Sequence, residues 1–468
     1  MALQDDFEAK SASFMRWLPS ASATVSDKVQ LQDLRHRAAG RGLVAMSDIQ
    51  EGEVLFTIPR SAVLSATNSS LSSILPQLFE HLDPWASLIV TMIYEYLRGD
   101  ASPWKPYFDV LPAHFDTLMF WSDDELAELQ ASAVTQKIGK DSANEMFTNT
   151  IIPLVRRHAS VFFPDPNTAQ GASDEDLLAL AHRMGSTIMA YAFDIEPDPA
   201  SKQVDEEGYA SDDEDEALPK GMVPLADMLN ADADRNNARL HYGPDALTME
   251  AVTNISAGDE VFNDYGSLPR SDLLRRYGYV TPNYEQYDVV EIPADLILET
   301  FKAETGTPEE EVDEKLSYLE EQDLLETGYD ISRIPQDDPE SAFSPEMGLL
   351  LATLYLPHAD FRRMGKKGKF PKPNLTPQTA ALLRQVVAKR LAQYPTSLEQ
   401  DRALLAAGGV VEPRKAMALA VRIGEKEILE SAALLLKDAA AAAPDSAAKR
   451  TSSSENGESS SSKKRKIA

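Results

Sequence analysis

The stretch from Val223 to Tyr279 sets the terms for the rest of this sequence. It holds Val-Pro-Leu-Ala-Asp-Met-Leu-Asn-Ala-Asp (223–232), Ile-Ser-Ala-Gly-Asp-Glu-Val-Phe-Asn-Asp-Tyr-Gly (255–266) and Leu-Leu-Arg-Arg-Tyr-Gly-Tyr (273–279). A tyrosine taken singly most often packs in a core. Tyr265 and Tyr277 instead follow Asn230 in order, with Ala39-Gly40-Arg41-Gly42 far upstream, and that ordered set reads as a site.

The chain is 468 residues long and 43% apolar, enough for two or three domains with cores of their own. It has no cysteine, which excludes disulfides, thiolate zinc clusters and a thiol nucleophile and is consistent with a reducing compartment. Met1 to Lys10 carries Asp5, Asp6 and Glu8 and does not read as a signal peptide. No run approaches the roughly 20 apolar residues of a membrane span. The formal net charge of −30 opposes general nucleic-acid binding and favours encounter with basic proteins, although acidity also serves solubility alone.

Taken in order, Phe14 to Leu18 reads as a short amphipathic helix. The glycine-containing strand follows, and Ile49 to Pro59 alternates around Glu51-Gly52-Glu53 as two short strands joined by a tight turn. From Ser65 to about Ala181, spacing such as Leu88, Met92 and Tyr96 predicts a mainly helical region, and His182 to Asp194 a further helix. Glu196 to Glu216 is a like-charge block that cannot bury itself and reads as a disordered loop. Thr307-Pro308, Ser344-Pro345 and Thr376-Pro377 each set an N-cap residue before a proline, which makes 291–437 a helical second domain with Arg362 to Lys369 as a basic loop. From Asp438 the tail turns Ala-rich and then Ser-rich, and its Lys449-Arg450 and Lys463-Lys-Arg-Lys466 clusters fit a bipartite nuclear localisation signal.

The Gly-x-Gly strand, the Asn230 segment, Tyr265 and Tyr277 together resemble a SET domain, the fold that transfers methyl groups from S-adenosylmethionine to lysine. Ser102-Pro-Trp-Lys-Pro-Tyr-Phe-Asp-Val-Leu-Pro112, Phe120-Trp121 and Ala420 to Leu429 resemble the Rubisco large-subunit methyltransferase subfamily, which also takes in ribosomal lysine methyltransferases. The resemblance implies an α+β fold. A SET domain of short twisted β-sheets with a pseudoknot would span 14–290, with a helical insertion at about 66–181 and the acidic loop at about 196–217. An all-α substrate-binding domain would follow over 291–437, and a disordered tail over 438–468.

The same resemblance implies that Tyr265 is catalytic and that Ala39, Gly40, Arg41, Tyr191, Asn230, Ala231 and Tyr277 contact S-adenosylmethionine. It puts Trp85, Ala192 and Asp194 against the substrate and calls for no metal, while Trp104 and Trp121 are expected in the core. Ala231 stands where the family usually has histidine, which bears on cofactor affinity more than on reaction type. Asn263, two before Tyr265, sits where many SET domains set the number of methyl groups added, and monomethylation is the expected outcome.

Methyl transfer from a sulfonium to an amine is an in-line displacement, so the amine must be neutral, aligned and shielded from water. With a lysine pKa of roughly 10.4, only a small fraction is neutral at pH 7. An apolar channel and a neighbouring sulfonium both disfavour the ammonium. Tyr265 would orient the amine by its hydroxyl, and Asn230 would anchor the cofactor by amide hydrogen bonds. Three functions stay open on sequence: methylation of a lysine on a basic, ribosomal-type protein in the nucleus, a SET-like interaction module without turnover, and methylation of histidine.

Overall fold

A computed structural model of the chain describes residues 6–37, 39–163, 172–195, 218–406 and 411–441. The acidic segment 196–217 and both basic clusters of the tail lie outside the described residues. Contacts divide the chain into two compact units, Met1–Val289 with Thr396–Glu425, and Val290–Pro395 with Lys426–Ala468. The first unit runs to Val289, and Thr396–Glu425 returns to it. Polar pairs tie that segment to the rest of the first unit: Ser132 donates to Glu425 Oε1 at 2.6 Å, and Arg422 Nη1 and Lys415 Nζ donate to the Glu128 carboxylate at 3.2 and 2.6 Å.

The first unit carries strands β1 (Thr24–Val25), β2 (Val29–Asp33), β3 (Arg41–Ala45), β4 (Val54–Pro59), β5 (Leu64–Ser65), β6 (Ala192–Asp194), β7 (Lys220–Met222), β8 (Ala238–Tyr242), β9 (Ala246–Ala251) and β10 (Glu260–Val261). They pair antiparallel in three small sheets, ordered β1-β4-β9-β8, β10-β3-β2 and β5-β7-β6. Alternation sets the faces, as in β9, where Leu247, Met249 and Ala251 are buried. Of the two strands expected in 49–59 only β4 forms. Ile49 makes an isolated bridge to Ile255, because β4 takes β9 as its partner.

Helix α1 (Phe7–Ser20) is longer than its apolar centre suggested, and it buries Phe14 and Leu18. Asp83 accepts from Ala86 N at 2.9 Å to cap helix Pro84–Leu97, whose Leu88, Ile89, Val90, Met92 and Ile93 are all in the core. A capping box of Ser173 and Asp176 starts helix Asp174–Tyr191. That helix stops at Tyr191 and the chain runs straight into β6, so Ala192 to Asp194 is strand where helix was expected. The reason is tertiary pairing: these residues lie opposite Met222, Gly221 and Lys220 of β7.

Among the described residues the second unit is helical except for a two-stranded ribbon of β11 (Val289–Pro293) and β12 (Gly328–Ser332), so the all-α expectation is corrected. Val290, Ile292, Tyr329 and Ile331 alternate into its core, a period of two that the capped helices around it obscured. Ser344 and Thr376 cap helices Pro345–Tyr355 and Pro377–Ala392 as expected, whereas Pro308 and not Thr307 precedes helix Glu309–Glu320. The expected basic loop begins as helix His358–Gly365, drawn in by the pairing of Arg362 with Glu314 at 2.8 Å. Helix Pro413–Ala441 runs past Asp438, where the tail was expected to start. Among the described residues no helix is long and apolar enough to cross a membrane.

Candidate active site

The site is built on β3. Gly40 has φ +65°, a conformation that favours glycine, and Gly42 lies so close to its neighbours that a Cβ there would fall 2.7 Å from Glu260 Oε1 and 2.9 Å from Asn230 Nδ2. The two glycines of the Gly-x-Gly pattern therefore serve different ends, one a turn and the other a close approach. Asn230 arrives from a strained segment, since Leu225 is fully buried at φ +73° and ψ −37°. The Asn230 amide donates to the Arg41 carbonyl at 3.1 Å and to the buried Glu260 carboxylate at 2.7 Å. Its carbonyl accepts from Asn263 N at 2.9 Å, and Ala231 bridges Asn263 in parallel, which locks the 230 and 263 segments side by side.

Two cavities open from this framework. The larger, about 800 Å³, is bordered by Ala39, Gly40, Tyr191, Asn230, Ala231, Tyr265 and Tyr277 of the expected set, and also by Arg37, Asp232, Arg235, Asn237, Phe262 and Tyr279. The smaller, about 260 Å³, is bordered by Phe7, Arg41, Leu111, Pro112, Asp227 and Leu229. Ala39, Gly40, Tyr191, Asn230 and Tyr265 border both. The cavities are thus two lobes of one recess with Tyr265 where they meet.

Tyr265 stacks on Tyr277 with ring centroids 4.5 Å apart and planes 13° from parallel, and its hydroxyl donates to the Leu229 carbonyl at 3.3 Å. Burial, with Tyr191, Tyr277, Tyr279 and Asp227 nearby, holds that hydroxyl well above the usual tyrosine range. Burial likewise pushes Tyr191 up to about 12 and raises Tyr277. The recess therefore presents neutral phenols at physiological pH, able to orient a reacting group but not to act as phenolate bases.

Two expectations change in detail. The Asn230 amide is already engaged by Arg41 and Glu260, so it acts by fixing β3 against β10. Arg41 borders only the smaller lobe. Its guanidinium donates to Ser11 Oγ at 2.9 Å, Val110 O at 3.0 Å and Phe7 O at 3.3 Å and lies 3.8 Å over the Phe7 ring. It fastens α1 and the 110–112 wall to β3.

The expected substrate residues lie elsewhere. Trp85 is half-buried in the first turn of helix Pro84–Leu97 and packs on the main core. Ala192 and Asp194 belong to β6, the last strand of its sheet, and Asp194 is exposed and pairs with Lys220 at 2.6 Å. None of the three borders the recess. Asn263 borders a separate cavity of about 250 Å³ together with Phe193 of β6, Tyr242 and Asp264. Trp104 and Trp121 are core residues as expected, each indole N–H donating to a carbonyl.

Sequence reasoning passed over Asp227. It is buried, accepts a short hydrogen bond from Tyr107 on Oδ2, and leaves Oδ1 without a hydrogen-bond partner. Burial pushes its carboxyl up to about 7, tempered by Tyr107 and by the nearby amides of Leu225 and Asp227 itself. Its place three before Asn230 was a signal, but an Asp in an apolar run reads equally as a turn.

Comparison with known proteins agrees with this geometry. The SET domain family profile matches residues 40–266 and the Rubisco LSMT substrate-binding profile matches residues 308–429. Fold and recess alike thus define a SET-domain protein with that second module. The chain is 32% identical to ribosomal lysine N-methyltransferase 4 of Saccharomyces cerevisiae over 84% of each chain. It is 31% identical to N-lysine methyltransferase SETD6 of Mus musculus over 89% of each. The chain belongs to the SET-domain lysine methyltransferase family. A solved SET domain of LSMT, bound to methyllysine and AdoHcy, shares the fold with a TM-score of 0.66 at 22% identity, over 92% of each chain.

Proposed function

We propose that the protein is an S-adenosylmethionine-dependent protein-lysine N-methyltransferase. One observation carries the reading: all seven residues expected to hold the cofactor border a single recess, and Tyr265 sits where its two lobes meet. The residues fit such a group. A lobe of about 800 Å³ has room for a nucleoside, Gly40 borders both lobes without a side chain to obstruct them, and the orphaned Asp227 oxygen suits a cationic ligand. When bound, S-adenosylmethionine supplies an electrophilic methyl group. Gly40, Asn230, Ala231 and Tyr277 would hold it, and the Tyr265 hydroxyl would orient the incoming amine while the stacked Tyr265 and Tyr277 rings exclude water.

The edge of β6 that pairs with no other strand among the described residues begins directly after Tyr191 and supports entry of the substrate peptide as an added strand, with Ala192 and Asp194 as its contacts and Trp85 beyond them. A net charge of −30 favours a basic protein, and similarity to a ribosomal lysine methyltransferase supports a ribosomal protein, which we take to be one of the large subunit. We take monomethylation and nuclear residence, the latter on the two basic clusters, as parts of the same proposal.

Incubating purified protein with labelled S-adenosylmethionine and a ribosomal protein fraction tests this. The expected result is one labelled large-subunit band carrying monomethyllysine. Label on histidine alone, or stable binding of a basic protein with no label, would replace the reading with one of its two rivals. Ala231 in place of histidine is the observation that keeps the interaction-module reading alive, and Ala231→His is the variant to compare.

A further inference from the structure

Asp227 has no task in the mechanism above, yet it is an unusual group to find beside it. The residue is 6% exposed and borders the smaller lobe together with Tyr265 and Asn230. One oxygen accepts from Tyr107, and the other is buried with no hydrogen-bond partner. A buried carboxylate with an orphaned oxygen is costly unless a positive charge is near. The titratable groups around it are Tyr107, Tyr191 and Tyr265, all neutral. The cation of the lobe, Arg41, is hydrogen-bonded to Ser11, Phe7 and Val110. Within the protein alone the charged form of the carboxyl has the Tyr107 hydroxyl and the Leu225 and Asp227 amides to stabilise it but no cation among the described residues, and burial outweighs them. It does interact electrostatically with Tyr265 and Tyr191, the residues at the junction of the lobes.

The ligand pair of the proposed reaction differs by one charge at that junction. The methyl donor carries a sulfonium; the product is an uncharged thioether, and the rest of the molecule is common to both. We propose that Asp227 reads this charge: it is ionised when the sulfonium lies beside Tyr265 and protonated when the thioether product replaces it, so that donor binding releases a proton to solvent and product binding does not. In bond terms the carboxyl O–H breaks, the proton goes to water, and the carboxylate is held by the sulfonium. The consequence is preference. Above neutral pH the recess favours donor over product, and below it the two become more alike, which relieves or deepens product inhibition as pH changes. This inference rests on the cofactor reading given under the proposed function.

The test is calorimetric binding of S-adenosylmethionine and S-adenosylhomocysteine, with no methyl acceptor present, between pH 6 and pH 8 in buffers of different ionisation enthalpy. With the free carboxyl titrating at about 7, donor affinity should rise about tenfold across that range and donor binding should release protons near pH 6.5. Product affinity should lack that rise. Asp227→Asn keeps the shape of the side chain and should leave the two ligands with parallel pH profiles, which also separates Asp227 from the ligands' own amino groups. Tyr107→Phe removes a hydrogen bond that lowers the Asp227 pKa, so the transition should move to higher pH in that variant; this arm stands even if Asp227→Asn does not fold. Equal pH profiles for donor and product in the unaltered protein, or an unchanged donor profile in Asp227→Asn, would overturn the inference while leaving the cofactor reading intact. Failure of both ligands to bind at any pH would overturn both.

Discussion

Asn230 and Asp227 sit three residues apart in one strained segment and do opposite work, one tying strands together and the other held in reserve. Asn230→Ala removes the donors that join Arg41 O and Glu260 and leaves the buried Glu260 carboxylate without its Asn230 partner. S-adenosylhomocysteine binding should weaken by about 1 to 3 kcal/mol, read by calorimetry; unchanged affinity would separate Asn230 from the recess. Asp227 makes stability depend on pH. The folded-state carboxyl titrates at about 7 and the unfolded one near 3.9, so stability falls as pH rises from about 4 to 7. Asp227→Asn should therefore gain stability over the unaltered protein on going from pH 5 to pH 8, by roughly 2 to 3 kcal/mol, in denaturant melts. Asn230, Tyr265 and Tyr277 were legible because they recur in a fixed order. Arg235 over Phe262, Tyr279 and Asp227 were not: Asp227 and Tyr279 lie in the same stretches, but a lone Asp or Tyr there reads equally as a turn or as packing, and the placing of Arg235 over Phe262 is tertiary.

Elements tell a similar story. The capping signals of Ser344 and Thr376 and the apolar face of helix Pro84–Leu97 were readable because they are local. The turn from helix to strand at Tyr191, the β11–β12 ribbon and the return of Thr396–Glu425 to the first unit depend on partners far along the chain. Helix α1 is the clearest case. Its amphipathic core was visible, but not that Phe7 would border the recess under the Arg41 guanidinium. Arg41→Ala deletes the bonds to Ser11, Phe7 and Val110 together. It should cost about 1 to 3 kcal/mol of stability and loosen the recess, read as faster hydrogen exchange over residues 7–20 and weaker cofactor binding. Arg41→Lys should recover only part of either effect, because an ammonium cannot reach three acceptors in a planar fork. Exchange over 7–20 unchanged in Arg41→Ala would mean that α1 is held by Phe14 and Leu18 alone.

For the whole molecule, a net charge of −30 acts over distances at which single contacts do not. Encounter with a basic substrate should be screened by salt, so raising the ionic strength from about 0.05 to 0.5 M should raise KM for the protein substrate several-fold. Binding of S-adenosylhomocysteine, enclosed in the recess, should stay within about twofold over the same range; equal sensitivity of the two would remove charge as the guide to the substrate. The central claim is that this fold brings a methyl donor and a lysine together at Tyr265. Tyr265→Phe removes one hydroxyl and keeps the ring that stacks on Tyr277. Transfer of labelled methyl groups to the protein substrate, measured alongside binding of S-adenosylhomocysteine, decides the matter. The account predicts that turnover falls roughly 100-fold or more while cofactor and substrate affinities stay within a few-fold, and equal turnover in the two proteins would contradict it.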